Sequence, residues 1–332
     1  MSIQRKRIEE LLKRAADVRI AVVGDCMLDV YLTGSVGRIS PEAPVPVVQV
    51  REERWAPGGA ANVAAAVAAL GAQPQLVGVI GSDHAGRQLI DALGVLGVAG
   101  DRLVTAPGRA TTTKTRVMAR HQHVVRFDRE TDDDVSDEVA QRLAAHLQEI
   151  DGSVDAVILE DYNKGALVAP VIKRAIETAR DSDIPSVADP KLNRFFEYAG
   201  VHVFKPNALE LAAALGLPAA PRHPDGLHDA RRRIGCAHLL LTLAEDGMLL
   251  CSEGDEDVHH IHAVARDVYD VSGAGDIVTA TLAVCLAAGG TEFEASVVAN
   301  YAAGVEVSKS GVVPVRPDEI LAALDADHDV TE

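Results

Sequence analysis

Aromatic residues are scarce in this chain: one Trp, five Tyr and five Phe make up 3% of its 332 residues. Hydrophobic residues still reach 48%, so the core must be built from Ala, Val, Leu and Ile, which suits helices packed closely on a parallel sheet of β-branched strands. Cysteine is sparse too. Cys26, Cys236, Cys251 and Cys285 are scattered with no C-x-x-C pair, which argues against a disulfide framework and for buried thiols in a reducing compartment. No apolar run approaches the roughly 18 residues that span a bilayer. Residues 3–16 alternate charge with apolar positions at helical spacing, unlike a secretory signal. A cytoplasmic protein without membrane association is expected. Cationic charge is also short, with 32 Lys and Arg against 49 Asp and Glu and a net charge of −17. That balance argues against a general nucleic-acid surface, which neutralises phosphates with clustered Lys and Arg. A phosphorylated ligand would need a local basic pocket. Two nucleotide motifs are missing as well: there is no G-x-x-x-x-G-K-[ST], and no G-x-G-x-x-G follows the first apolar run.

What is present is an alternation. Short apolar runs at 19–25, 76–81, 156–161, 185–189, 201–205 and 239–242 end on Gly or polar residues, the pattern of buried parallel strands. Most lead into helical stretches, which are expected at 60–70, 85–96, 136–150, 167–179, 208–215, 276–288, 293–308 and 318–324. The implied fold is α/β, a doubly wound, mostly parallel sheet flanked by helices, with residues 1–332 forming one domain. Ligands gather at the carboxyl ends of strands in such sheets. Asp25, Asp161, Asp189, Lys205 and Thr242 are expected along that rim, although each alone could be a cap or turn residue. Two regions, about 31–51 and 111–128, are extended and β-branched with no helix beside them. They predict a small inserted antiparallel sheet that serves as a lid, with an exposed face able to pair with a second copy in a homodimer.

The most informative segment is Tyr269-Asp270-Val271-Ser272-Gly273-Ala274-Gly275-Asp276. Gly273, Ala274 and Gly275 carry almost no side chain, so consecutive backbone N–H groups can close on an anion at the start of a helix. Asp276 then sits at the rim, where a carboxylate can deprotonate a hydroxyl that attacks a phosphoryl group. A Gly-rich turn followed by Asp is also a common helix start. Within residues 113–120, strand alternation puts Lys114, Arg116, Met118 and Arg120 on one face. This face is either a site for a substrate phosphate or a solvated surface. His121 and His123 share a strand face, and His259, His260 and His262 crowd together. Neither group has Cys or carboxylate ligands at zinc-site spacing, so no metal role is expected of them.

The segment ending at Asp276 resembles the Asp-Thr-x-Gly-Ala-Gly-Asp signature of the ribokinase-like (PfkB) sugar kinases, with Ser272 where Thr is usual. The Gly-Gly signature of that family is matched by Pro57-Gly58-Gly59-Ala60-Ala61-Asn62. The resemblance implies that Asp276 is the catalytic base and that Gly273, Ala274 and Gly275 form the anion hole. It also implies that Asp29, Gly58, Gly59 and Asn62 meet the sugar; Asp161 on the expected rim, and Lys114, Arg116 and Arg120 if their strand face looks into the cleft, are the further substrate-side candidates. Asn207 and Glu210 match the family's Asn-x-x-Glu motif and would hold Mg²⁺ through water. Thr242, Glu245 and Gly247 resemble its nucleotide loop, with Ala244 where that loop has its first Gly. Asn300 matches a position lining the adenine pocket, and Lys191 can reach phosphate. ATP and Mg²⁺ are therefore implied, and a monovalent-cation requirement stays open.

Within the family, Arg38-Ile39-Ser40-Pro41-Glu42-Ala43-Pro44-Val45-Pro46-Val47 and Asp161-Tyr162-Asn163-Lys164-Gly165-Ala166-Leu167 resemble the bacterial heptose-phosphate kinases that make lipopolysaccharide precursors. This resemblance implies ATP-dependent phosphorylation of D-glycero-β-D-manno-heptose 7-phosphate at O1. The chain is too short for the fused nucleotidyltransferase that some of these kinases carry, so none is expected. Another sugar or sugar-phosphate kinase, and a catalytically silent sugar-binding protein, are the alternatives.

Overall fold

The alternation of apolar runs and helical stretches resolves into one large sheet with helices on both faces and a second, smaller sheet. A computed structural model describes residues 3–119, 122–264, 268–309, 311 and 313–328. Helix α1 (Arg5–Arg14) leads into β1 (Arg19–Gly24), and the chain then leaves the main sheet as β2 (Cys26–Ile39) and β3 (Pro46–Gly59). It returns through α2 (Ala60–Ala69), β4 (Gln73–Gly81), α3 (His84–Val95) and β5 (Leu103–Ala106) before a second excursion, β6 (Thr112–Ala119) and β7 (Gln122–Arg129). The second half runs α4 (Asp137–Glu149), β8 (Ala156–Glu160), α5 (Ala169–Asp181), β9 (Ser186–Asp189), β10 (Val203–Phe204), α6 (Ala208–Leu215), α7 (Pro224–Ile234) and β11 (His238–Thr242). It closes with β12 (Met248–Ser252), β13 (Val258–Ile261), α8 (Ala274–Ala287), α9 (Glu292–Val307) and α10 (Pro317–His328).

The main sheet has the order β13-β12-β11-β10-β9-β8-β1-β4-β5. Every pairing from β11 through to β5 is parallel, while β12 and β13 are added antiparallel at one edge. Alternate residues of one strand feed opposite cores, as the two-residue period requires. Ile20 and Val22 of β1 join the core formed with α1, α2, α3, α8, α9 and α10, whereas Ala21 and Val23 join the one formed with α4, α5, α6 and α7. Helix α8 is buried from Asp276 to Leu286, which explains why its sequence is apolar all round rather than on one stripe.

All six expected strands of the main sheet form. Helix α7 and strands β5, β12 and β13 were not expected from the sequence. Helix α7 opens on Pro224 and is capped by the His223 side chain, which accepts from the Gly226 N–H at 3.1 Å. That start reads locally as a loop, yet proline is well suited to the first helical position.

The small sheet has the order β3-β2-β6-β7 and starts earlier than expected, because β2 begins at Cys26 and β3 runs on to Gly59. It is mixed rather than antiparallel throughout. The β2–β3 and β6–β7 pairs are antiparallel, but β2 and β6 run parallel from Met27↔Thr112 to Gly34↔Ala119. The chain between them passes through the main sheet, and such a long crossover is what parallel pairing needs. Arg120 and His121 lie outside the described residues. The sheet leaves Ile39, Val50, Trp55, Val125 and Phe127 exposed.

Two devices hold the rim in shape. Gly59 caps α2 at φ +58°, where a Cβ would come within 2.3 Å of the Asp25 carbonyl oxygen. Only glycine fits there. Asp25 itself is buried, and its carboxylate accepts from the backbone N–H groups of Tyr162 (2.8 Å), Lys164 (2.9 Å) and Ala166 (2.9 Å). One side chain after β1 thus fixes the path of the segment after β8.

Candidate active site

A cavity of about 520 Å³ opens at the carboxyl ends of β9, β10 and β11, beside the amino end of α8. The expected catalytic residues Gly273, Ala274, Gly275 and Asp276 line it. So do Lys191, Asn207, Glu210, Thr242, Glu245, Gly247 and Asn300, all expected on the nucleotide side. Asp29, Gly58, Gly59, Asn62, Lys114, Arg116 and Asp161 do not line it. Most of them lie on the small sheet or at the start of α2, and Asp161 follows β8. Asn62 reaches the cavity through its bond to Asp276.

Gly273 caps α8 in the left-handed region at φ 89°. The N–H groups of the first helical turn have no intrahelical carbonyl to bond, so this turn presents donors at the positive end of a helix that extends 14 residues. A Cβ on Gly275 would lie 3.8 Å from the Lys205 Nζ and 3.6 Å from an Asp189 oxygen. Lys205 and Asp189 form a buried ion pair of 2.7 Å directly beneath the turn. Thr279 Oγ donates one turn back to the Gly275 carbonyl at 3.0 Å.

Asp276 is buried at the mouth of this turn. Asn62 Nδ2, from the start of α2, donates to Oδ2 at 2.7 Å, and the Tyr162 hydroxyl donates to Oδ1 at 2.7 Å. Burial pushes the carboxyl up to about 6 against the two hydrogen bonds, with Asp189 raising it further and Lys205 lowering it. A carboxylate so placed is a stronger base than an exposed Asp and is still ionised at neutral pH. Tyr162 was missed in the sequence, although the signal was present in the same run as Asp161.

Two neighbouring carboxyls behave differently. Glu160 is fully buried, and neither of its oxygens has a hydrogen-bond partner among the described residues. Burial, then Asp189 and Asp276, push it well above the usual carboxylate range. Glu306 is pushed up to about 8 by burial, with Asp276 and Asp270 adding to the shift. Glu306 therefore carries its proton at neutral pH.

On the nucleotide side, Asn207 and Glu210 form a capping box for α6: Asn207 Oδ1 accepts from the Glu210 N–H and Glu210 Oε2 accepts from the Asn207 N–H, both at 2.9 Å. The other Glu210 oxygen meets Lys191 Nζ at 2.5 Å. Burial works against the charge on Lys191, but Asp189 and Glu210 outweigh it and hold the ammonium above its usual range. Asn300 Nδ2 donates to the His262 carbonyl at 2.7 Å. Ala244, which stands where the resembled loop has Gly, takes φ 52°, the left-handed conformation that glycine adopts without strain.

The residues expected on the substrate side depart from expectation in two places. Arg116 does not stand as a free cation but pairs with Asp29 at 2.5 Å, and Lys114 pairs with Asp128 at 3.4 Å and Glu130 at 3.1 Å. Strand alternation names the face a side chain shares, not the carboxylates that neighbouring strands bring to it. Asp161 accepts from the Asn163 N–H at 2.7 Å and the Tyr198 hydroxyl at 2.8 Å, so both of its oxygens shape the loop.

A doubly wound sheet with a lid, a donor turn at a helix start and a buried carboxylate beside it is the architecture of a ribokinase-like carbohydrate kinase. The profile of the pfkB family carbohydrate kinases matches residues 17–319, and the chain belongs to that family, whose members are ATP-dependent sugar kinases. It is 41% identical over 336 residues to the bifunctional protein HldE of Pelobacter propionicus, covering 98% of this chain and 67% of that protein. It is 47% identical over 315 residues to HldE of Azorhizobium caulinodans, covering 92% and 64%. The chain thus spans about two thirds of the length of these relatives. Among solved structures, phosphofructokinase-2 from Escherichia coli in complex with potassium superposes with a TM-score of 0.76 at 17% identity, covering 93% of this chain and 99% of that one. Ribokinase from Arabidopsis thaliana complexed with ribose and ATP gives 0.71 at 20% identity, covering 92% and 98%. These two likenesses concern the fold. No helix among the described residues is long and apolar enough to cross a membrane.

The raised carboxyl has a stability consequence. Folded Asp276 binds its proton more tightly than the unfolded chain does, so the penalty of burying its charge is absent below about pH 4 and complete above about pH 6. Asp276→Asn is expected to raise unfolding free energy at pH 7.5 by roughly 1–3 kcal/mol. The gain should vanish at pH 4. Urea unfolding at both values checks this, and an equal gain at both would show that burial of charge is not its source.

Proposed function

We propose that this chain transfers the γ-phosphoryl group of ATP to O1 of D-glycero-β-D-manno-heptose 7-phosphate, giving the 1,7-bisphosphate for ADP-heptose and lipopolysaccharide core synthesis. The observation that carries the chemistry is Asp276, ionised and aimed by Asn62 and Tyr162 beside the donor turn. The sugar rests on the Arg38–Val47 run and on the similarity to the HldE proteins.

In this reading Asp276 takes the O1 proton as O1 attacks the γ-phosphorus, and the bond to the β–γ bridging oxygen breaks to release ADP. The turn's N–H groups and the Lys205 charge beneath Gly275 stabilise the oxygens of the moving phosphoryl group. Asn207 and Glu210 offer oxygen donors at the cavity wall, a fit for Mg²⁺ held through water. Bound there, Mg²⁺ would neutralise charge on the polyphosphate. Thr242, Glu245, Gly247 and Asn300 hold the nucleotide, with Lys191 near its phosphates. Asp29, oriented by Arg116, accepts from sugar hydroxyls beside Gly58 and Gly59, and Lys114 and Arg116 meet the 7-phosphate by exchanging their carboxylate partners Asp128, Glu130 and Asp29 for it. The lid excludes water, which limits ATP hydrolysis. Its exposed apolar residues, Val125 and Phe127 among them, form a homodimer face.

Three measurements test these statements. With ATP and a panel of heptose 7-phosphate, fructose 6-phosphate and free ribose, ADP release should be confined to the heptose phosphate, with the new phosphate located at C1 by NMR. Preference for either other sugar overturns the substrate. In pH–rate profiles, kcat/KM should fall about tenfold per unit below about pH 6 as Asp276 protonates. Tyr162→Phe removes a bond that favours the carboxylate, so the acid limb moves to higher pH, while Asp276→Asn lowers turnover roughly 10²–10⁴-fold with ATP affinity kept. Near-normal turnover by that variant removes Asp276 from the role of base. Light scattering should give a dimer that Phe127→Asp converts to monomer; a monomeric wild type rejects the lid face.

A further inference from the structure

Among the described residues, one group of three side chains could hold a metal ion: His202, His238 and Glu292. It lies at the opposite end of the main sheet from the catalytic cleft. His202 immediately precedes β10, His238 opens β11, and Glu292 is the first residue of α9. The His238 N–H donates to the His202 carbonyl at 2.9 Å, so neighbouring parallel strands set the two imidazoles side by side, 4.8 Å between centroids. Glu292 Oε1 reaches both, at 3.0 Å from His202 Nε2 and 3.5 Å from His238 Nε2.

We propose that His202, His238 and Glu292 bind one Zn²⁺ ion that fastens the amino end of α9 to the sheet. Zn–N and Zn–O bonds of 2.0–2.1 Å place tetrahedral donors about 3.3 Å apart, and the three donor atoms already lie within 4.8 Å of one another. Two imidazoles and a carboxylate suit Zn²⁺, whereas Mg²⁺ favours oxygen alone. His238 Nδ1 lies 2.9 Å from Ser252 Oγ, a second contact that orients the ring with Nε2 toward the site. All three side chains are partly exposed, and His202 lines a cavity of about 550 Å³ that gives an ion and its remaining water ligands access from solvent. Arg231 opposes a cation here, while its guanidinium is turned to the Cys236 and Ala237 carbonyls. The site is structural in its geometry: β11 ends at Thr242 and α9 carries Asn300, so the ion would brace two walls of the nucleotide cavity from behind.

Chelator-stripped protein titrated with ZnCl₂ in a calorimeter should take up one equivalent per chain, and its melting temperature should rise by several degrees at about 100-fold excess over Kd. Co²⁺ in place of zinc should give the intense visible absorption of a tetrahedral ion, a readout that needs no variant. His202→Gln and Glu292→Gln should each weaken zinc binding by more than about tenfold, whereas His259→Gln should leave it unchanged. Absence of a stoichiometric site, a weak octahedral Co²⁺ spectrum, or full affinity in the His202→Gln, Glu292→Gln double variant would each overturn the proposal and leave a metal-free His–Glu pair.

Discussion

Two hydrogen bonds of 2.7 Å, from Asn62 and from Tyr162, converge on the carboxylate of Asp276 and tie together three separate parts of the chain. Asn62 belongs to α2, Tyr162 to the segment after β8, and Asp276 to α8. Their meeting requires α2 to approach α8 closely, and the Ala-rich face of α2 permits it: Ala60, Ala61, Ala64 and Ala65 are all buried. Bulkier residues there would hold the helices apart and leave Asn62 short of its partner. The second bond depends on Asp25, whose three backbone contacts hold the segment that carries Tyr162. The scarcity of aromatics in the sequence and the precision of this junction therefore have one origin, a core of small side chains that lets backbones draw near.

Much of the fold was legible because its signals are local. The six strands of the main sheet end on residues that mark the rim, and the expected nucleotide residues fall together because each sits just past a strand or at the start of a helix. Signals that depend on distant partners were not legible. Lys114 and Arg116 share a face as alternation requires, but Asp29, Asp128 and Glu130 arrive from neighbouring strands to pair with them. Asp161 was assigned to substrate, yet the adjoining Tyr162 is the residue that touches Asp276. Helix α7 was hidden by Pro224 and Gly226, which read as turn residues until His223 is seen capping the helix. The histidine clusters visible in sequence, at 121–123 and 259–262, differ from the group formed in space by His202, His238 and Glu292, which are too far apart in the chain for any spacing rule.

Charge at the catalytic cleft explains why Asp276 is held by neutral donors. Asp189, Glu210, Glu245 and Asp276 line it, with Glu160 and Glu306 near Asp276, while Lys191 and Lys205 are the ammonium groups at the cavity wall among the described residues. Glu306 keeps its proton at neutral pH, which removes one charge that would repel a polyphosphate, and burial pushes Glu160 in the same direction. Lys205 is matched to Asp189 and Lys191 to Glu210. Asp276, unlike Asp189 and Glu210, has no dedicated cation. An ammonium in place of Asn62 or Tyr162 would keep it ionised but would pull its pKa down and weaken it as a base. An amide and a phenol fix its direction while burial keeps its proton affinity high. Placement and basicity thus come from different sources, hydrogen bonding for one and the low-dielectric interior for the other.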